Sequence, residues 1–173
     1  TAAALAKKQT KLGTVAGRLT IPAIGLRKAF VHGARDGTPD LTKGPGLYQQ
    51  APFPGSGRPL AIAGHRTTYG APFLDIDKLK PGNTITLSMP YGRFTYTVTR
   101  KEVITPTDWS ILDYGAAERT AAMRRRVLTG RQCVDTCEHL VLTACHPKYS
   151  ASQRMAVFAR LSSVRLRSGA AAA

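Results

Sequence analysis

Cys145 and His146 stand where the apolar run LVLTA gives way to the polar turn PKYSAS. A thiol in that position has four fates: nucleophile, metal ligand, half of a disulfide, or small buried hydrophobe. Arg154 follows nine residues later and would face Cys145 if the flanking strands pair. His65 closes another compact apolar run, LAIAGH. Cysteine, histidine and arginine from separate strands can act as nucleophile, proton carrier and electrostatic stabiliser. Metal chemistry has its own claim, because Cys133, Cys137, His139, Cys145 and His146 crowd into fourteen positions and zinc favours such ligands. Their spacing nevertheless lacks two well-separated ligand pairs. A Cys133–Cys137 disulfide would close a short loop and leave Cys145 as one working thiol, which fits an oxidising compartment.

Positioning these groups falls to a chain of short strands. RLTIPAIGLRKAFVHG is broken by Pro22 and Gly25 and predicts two strands. Residues 33 to 57 are rich in Gly and Pro and predict mainly loop. LAIAGH predicts a buried strand, and PFLDIDKL a short helix. KPGNTITLSM and GRFTYTVTRKEVIT alternate with period two on either side of the turn MPYG. The segment WSILDYGAAERTAAMRRRVLTG differs: it is rich in Ala and Arg, helix-compatible, and ends at a capping Gly130. HLVLTAC and QRMAVFARLSSVRL are the last two strands. Many short strands with Gly/Pro turns, few helices and no internal repeat predict a single closed or sandwiched β domain.

Composition narrows the partners. With 173 residues and 43% hydrophobic content, one domain with a substantial core is expected. Lys and Arg number 25 against 10 Asp and Glu, a net charge of +15, with a pI near 10.4. Such a field favours a polyanionic neighbour, either nucleic acid or an anionic membrane or wall surface. Aromatics at 7% and the lack of an aromatic-basic platform argue against nucleic acid. No apolar run is long enough to span a bilayer. TAAALAKKQTKLG lacks the order of a signal peptide, so residues 1–17 are expected to be a helix or linker following a removed membrane anchor.

Two long motifs, AIAGHRTTYGAPF and LVLTACHPKYSASQRMAVFARL, resemble the signature regions of the sortases. The second is similar to the TLTTCHPxxSAxxR pattern of class E sortases from high-GC Gram-positive bacteria. IPAIGL, FLDIDKLKPGNTITL and RFTYTV with VITPTD agree, so the resemblance spans about residues 18 to 161. It implies a mostly β fold: a single closed eight-stranded sortase-type barrel over 18–167, a few short helices, an Arg/Ala-rich helical insertion, and a disordered or appended tail over 168–173.

The resemblance also implies a cysteine transpeptidase that cuts an LAxTG- or LPxTG-type sorting signal between Thr and Gly through a thioacyl enzyme. Cys145 would be the nucleophile, His65 the proton carrier and Arg154 the electrostatic donor. Thr67, Tyr69, Thr143, Ala144 and His146 would contact substrate. The implied partners are secreted proteins bearing the signal and an amine from a peptidoglycan precursor or a pilin Lys. A monomer is expected at the extracellular face of the cell membrane, with no metal, no cofactor and no nucleic acid. Two departures stand out. Ala144 takes the place usually held by Thr before the cysteine, and the segment from Tyr114 to Cys137 lengthens the connection between the two motifs. The competing readings are a pilin-polymerising sortase, a zinc-stapled module and a nucleic-acid-binding basic barrel.

Overall fold

The computed structural model describes residues 12–34, 39–108, 111 and 138–168. The N-terminal helix or linker up to residue 11, nearly all of the Arg/Ala-rich insertion, the Cys133–Cys137 pair and the tail beyond residue 168 lie outside the described residues.

Eight strands carry the fold: β1 (Val15–Ile21), β2 (Leu26–Ala34), β3 (Gly46–Tyr48), β4 (Leu60–Ala63), β5 (Thr84–Met89), β6 (Gly92–Ile104), β7 (His139–His146) and β8 (Gln153–Leu166). They close into a barrel in the order β1-β2-β3-β4-β7-β8-β6-β5, with β5 pairing back onto β1. Closure leaves no unpaired sheet edge. The ladders are antiparallel except β2–β3 and β4–β7.

Strand boundaries follow the chain's own punctuation. Pro22 and Gly25 flank a single 3-10 turn between β1 and β2, with Gly25 in the left-handed region at φ 63°. Another 3-10 turn, Ile76–Lys78, answers the short helix expected in PFLDIDKL. The structure adds one strand that the Gly/Pro-rich reading of residues 33–57 missed. β3 is only three residues long and follows Gly44 and Pro45, too short to display alternation. It is nonetheless required, because it joins β2 to β4.

The principal core fills the barrel with residues such as Leu19, Phe30, Leu60, Ile62, Leu87, Phe94, Leu140, Leu142 and Val157. A second apolar cluster lies on the opposite face of β4, β7 and β8: Ala61, Val141, Ala156 and Phe158, with Ile111 and the partly buried Tyr48 and Ile104. Both clusters draw on the same strands at alternate positions, as the period of two requires. This explains why all four residues of β4 are buried and why apolar content runs unbroken through LAIA and LVLTA.

The far end of β7 from Cys145 begins at a fully buried carboxylate, Glu138. It accepts hydrogen bonds from the Tyr96 hydroxyl at 2.5 Å, the Gly57 amide at 2.9 Å and the Gly55 amide at 3.0 Å. Burial outweighs these donors and pushes its pKa up to about 7. Tyr91, nearby, donates to the Pro54 carbonyl at 2.7 Å. Glu138 thereby ties the 54–57 loop to β6 and β7.

Candidate active site

Register places the three groups singled out by residue type. β4 and β7 run parallel with Ala63 beside Thr143, and the Gly64 amide extends that ladder to the Thr143 carbonyl at 3.0 Å. Two positions further on, His65 lies just past the end of β4 and Cys145 still within β7, on neighbouring lines about 4.8 Å apart. Across the antiparallel β7–β8 ladder, Cys145 pairs directly with Arg154. Cys145 and Arg154 thus face each other across β7 and β8, and His65, two residues beyond the end of β4, extends the row. Each has the parity of Ala61, Val141 and Ala156, so all three face the side of the second apolar cluster rather than the barrel interior. Cys145 is a free thiol of intermediate exposure.

The loop after β4 supports His65. Gly64 is required by close approach, because a Cβ there would lie 2.6 Å from the Phe73 ring. The Phe73 amide in turn donates to the His65 carbonyl at 3.0 Å. Between these anchors Tyr69 and Ala71 take positive φ, 50° and 43°, a conformation that costs non-glycine residues about 1 kcal/mol or more each. The turn lays the Tyr69 ring against His65, centroids 4.9 Å apart, while Tyr69 stays 61% exposed. Thr67 lies in this loop, half-buried. On the other side, Arg154 Nη1 donates to the carbonyls of Ala151 at 2.9 Å and Gln153 at 3.0 Å, which holds the guanidinium over the β7–β8 turn.

Arg66, which sequence reasoning passed over, lies beneath the row and is only 3% exposed. Its Nη1 contacts the Cys145 carbonyl at 3.3 Å and His146 Nδ1 at 3.1 Å, and its Nε reaches the Leu74 carbonyl at 3.4 Å. Nη2 lies 2.9 Å from Asp77 Oδ1, a charge contact rather than a well-aligned hydrogen bond. Burial alone would raise the Asp77 pKa, but the Arg66 charge, a backbone donor and Lys148 together hold it below its usual value. One guanidinium thus fixes the end of the cysteine strand to the histidine loop. A second link is the contact of Lys148 with Asp75 at 3.9 Å. The signal for Arg66 was its place directly after His65: period two turns it inward, where a buried cation needs partners.

The expected substrate-contact residues divide. Thr67 and Tyr69 lie on the histidine loop. Thr143 has the parity of Cys145, but its hydroxyl is engaged with Tyr48 Oη at 2.8 Å. Ala144 points into the barrel at 3% exposure within the principal core. A side chain there does not reach the face that carries Cys145. His146 also has the inward parity and is the partner of Arg66. His139 and Cys145 sit at opposite ends of β7, about 20 Å apart at strand rise, too far to share one zinc ion, while Cys133 and Cys137 lie outside the described residues. No helix among the described residues is long and apolar enough to cross a membrane.

Fold and row together define a closed β-barrel that presents a Cys–His–Arg constellation on its outer wall. The chain belongs to the sortase family: the Sortase domain matches residues 19–162. Sortase D of Bacillus subtilis is 27% identical over 135 residues, 78% of this chain and 56% of that protein. Sortase SrtE1 of Streptomyces coelicolor is 30% identical over 110 residues, 63% of this chain and 28% of that protein. The chain therefore spans about half or less of the curated relatives it matches. Among solved structures, sortase E from Streptomyces avermitilis is similar with a TM-score of 0.69 and 30% identity, covering 92% of this chain and 98% of that one. These similarities make the chain class E-like.

Proposed function

We propose that this domain is a sorting-signal transpeptidase that works through a thioacyl enzyme on Cys145. The observation that carries the reading is the direct pairing of Cys145 with Arg154 across β7 and β8, with His65 two residues past the end of β4, which runs parallel beside β7. In the first half-reaction the Cys145 sulfur attacks the carbonyl carbon of the Thr–Gly bond. Arg154 donates hydrogen bonds to the oxygen as it gains negative charge, a task suited to its fixed fork of donors. Collapse breaks the C–N bond, and protonated His65 gives its proton to the departing amine. In the second half-reaction an amine attacks the thioester carbonyl. His65 takes its proton, the C–S bond breaks, and the thiolate is restored.

The buried apolar cluster of Ala61, Val141, Ala156 and Phe158 backs this row, and an LAxTG- or LPxTG-type signal would lie over the exposed residues in front of it. Exposed Tyr69 beside His65 and Thr67 in the same loop would border the bound peptide. The reading places the domain at the extracellular face of the cell membrane, anchoring secreted proteins to a peptidoglycan-precursor amine, and acting as a monomer. The test is cleavage of LAxTG and LPxTG peptides by the wild type and by Cys145→Ala. Loss of all cleavage with an unchanged circular dichroism spectrum supports the reading. Retained cleavage would sink it.

A further inference from the structure

The outer face of the barrel at the end remote from Cys145 carries a row of arginines. Cross-strand register sets Arg18 of β1 beside Ser88 of β5, Ser88 beside Arg93 of β6, and Arg93 beside Arg165 of β8. Directly paired residues share a face. The next row, Leu19, Leu87, Phe94 and Val164, packs into or against the core, so the arginine row points outward. Arg167 has the parity of Arg165 and follows β8, its amide bonded to the Tyr91 carbonyl at 3.1 Å. Arg93, Arg165 and Arg167, with Ser88, Met89, Gly92 and Leu166, line an open pocket of about 310 Å³.

Like charges placed directly opposite each other destabilise a sheet, so the Arg93–Arg165 pair works against the fold. Among the described residues no ion pair joins any of these four arginines to a carboxylate. The next outward row supplies hydroxyls from Thr20, Thr86, Thr95 and Ser163. Four guanidinium groups with hydroxyl donors and no acid are a receptor for phosphate oxyanions.

We propose that this face binds the phosphate headgroups of an anionic phospholipid surface. Three observations favour a bilayer over nucleic acid. Tyr91, the aromatic nearest the pocket, is buried and offers no stacking surface for bases. Leu12 and Val15, at the start of β1 beside this end, are exposed at 49% and 64% and can enter the headgroup layer. Lys7, Lys8 and Lys11 precede β1 in sequence and add to a polybasic stretch. Docked this way, the barrel holds the Cys145 end away from the lipid. The inference goes beyond the transpeptidase reading and is tested by binding alone.

The experiment is sedimentation of the full chain with vesicles of phosphatidylcholine containing 30% phosphatidylglycerol, against vesicles of phosphatidylcholine alone. The triple variant Arg93→Gln/Arg165→Gln/Arg167→Gln is compared with an equal loss of exposed charge elsewhere, Lys43→Gln/Arg58→Gln/Lys80→Gln. Each surface arginine should contribute about fivefold, so the first variant should bind about a hundredfold more weakly and the second much less so. The single Arg165→Gln variant should lose about fivefold and guards against misfolding of the triple. Peptide cleavage should stay unchanged. Equal losses in both triples would reduce the effect to net charge and overturn the site. Binding of inorganic phosphate at these arginines without vesicle binding would overturn the lipid assignment, as would displacement from vesicles by a single-stranded oligonucleotide at lower concentration.

Discussion

Replacing Glu138 by Gln should stabilise this domain above neutral pH, and the structure says by how much. The ordinary carboxyl value of 4.5 is pushed to about 7 by burial, against the donors from Tyr96 and the 55–57 backbone. The folded state therefore holds the proton more tightly than the unfolded chain. Its contribution to stability is fully present below pH 4.5 and is lost as pH rises to about 7. At about 1.4 kcal/mol for each pH unit, that interval amounts to about 3 kcal/mol. Gln matches the shape of the protonated acid. Its carbonyl can take the Gly55 and Gly57 amides while its amide faces Tyr96 Oη, so little is lost at pH 5. Urea denaturation followed by circular dichroism at pH 5, 6, 7 and 8 would read the difference. Near-equal stability is expected at pH 5, with Glu138→Gln ahead by about 3 kcal/mol at pH 8. Parallel profiles, or a variant that falls behind as pH rises, would show that Glu138 does not hold its proton in the folded state. Tyr96→Phe removes a donor that favours the ionised form and should move the wild-type transition to higher pH.

Arg154→Lys keeps the charge but loses the fork that the Ala151 and Gln153 carbonyls hold. It should lower kcat by about 10²-fold, worth about 3 kcal/mol, with a smaller change in KM. Arg66→Met breaks the contacts to Asp77, His146 and the Cys145 carbonyl together. A loss of about 1–2 kcal/mol in stability is expected by denaturation, with kcat falling at fixed KM, since Asp77 is partly solvated and the Cys145 carbonyl loses its donor. The Asp77 contact is present above the ordinary carboxyl value of 3.8 and is lost as pH falls through its lowered value, so Asp77→Asn should flatten the acid limb of the stability curve. Tyr69→Ala removes the ring stacked on His65 and should raise KM for a sorting peptide about fivefold, the scale of one aromatic contact.

What could be read in advance followed from alternation and motif spacing. LAIAGH and LVLTACH carry their reactive residues just beyond the last buried position, so Cys145 and His65 stood out as emerging from strands. The facing of Cys145 and Arg154 needed only antiparallel pairing across a short turn, which the register has. The parallel β4–β7 ladder that brings His65 towards Cys145 was not legible, because paired residues such as Leu60 and Leu140 lie 80 positions apart. β3 was hidden by its three-residue length. Ala144 looked like a change in the groove, yet one step along a strand turns a side chain to the other face, and it packs in the core. Glu138 carries no signal of its own in the sequence; only the Gly55 and Gly57 amides and Tyr96, distant in sequence, make it a buried acceptor.

The central claim is a thioacyl bond on Cys145, and intact-protein mass spectrometry after incubation with an LAxTG- or LPxTG-type peptide tests it directly. The expected result is a mass increase equal to the acyl fragment ending at Thr, located on Cys145 and released by hydroxylamine, and no such adduct on Cys145→Ala. Cleavage of the peptide with no hydroxylamine-labile adduct on Cys145 would contradict it, as would an adduct that persists when Cys145 is replaced.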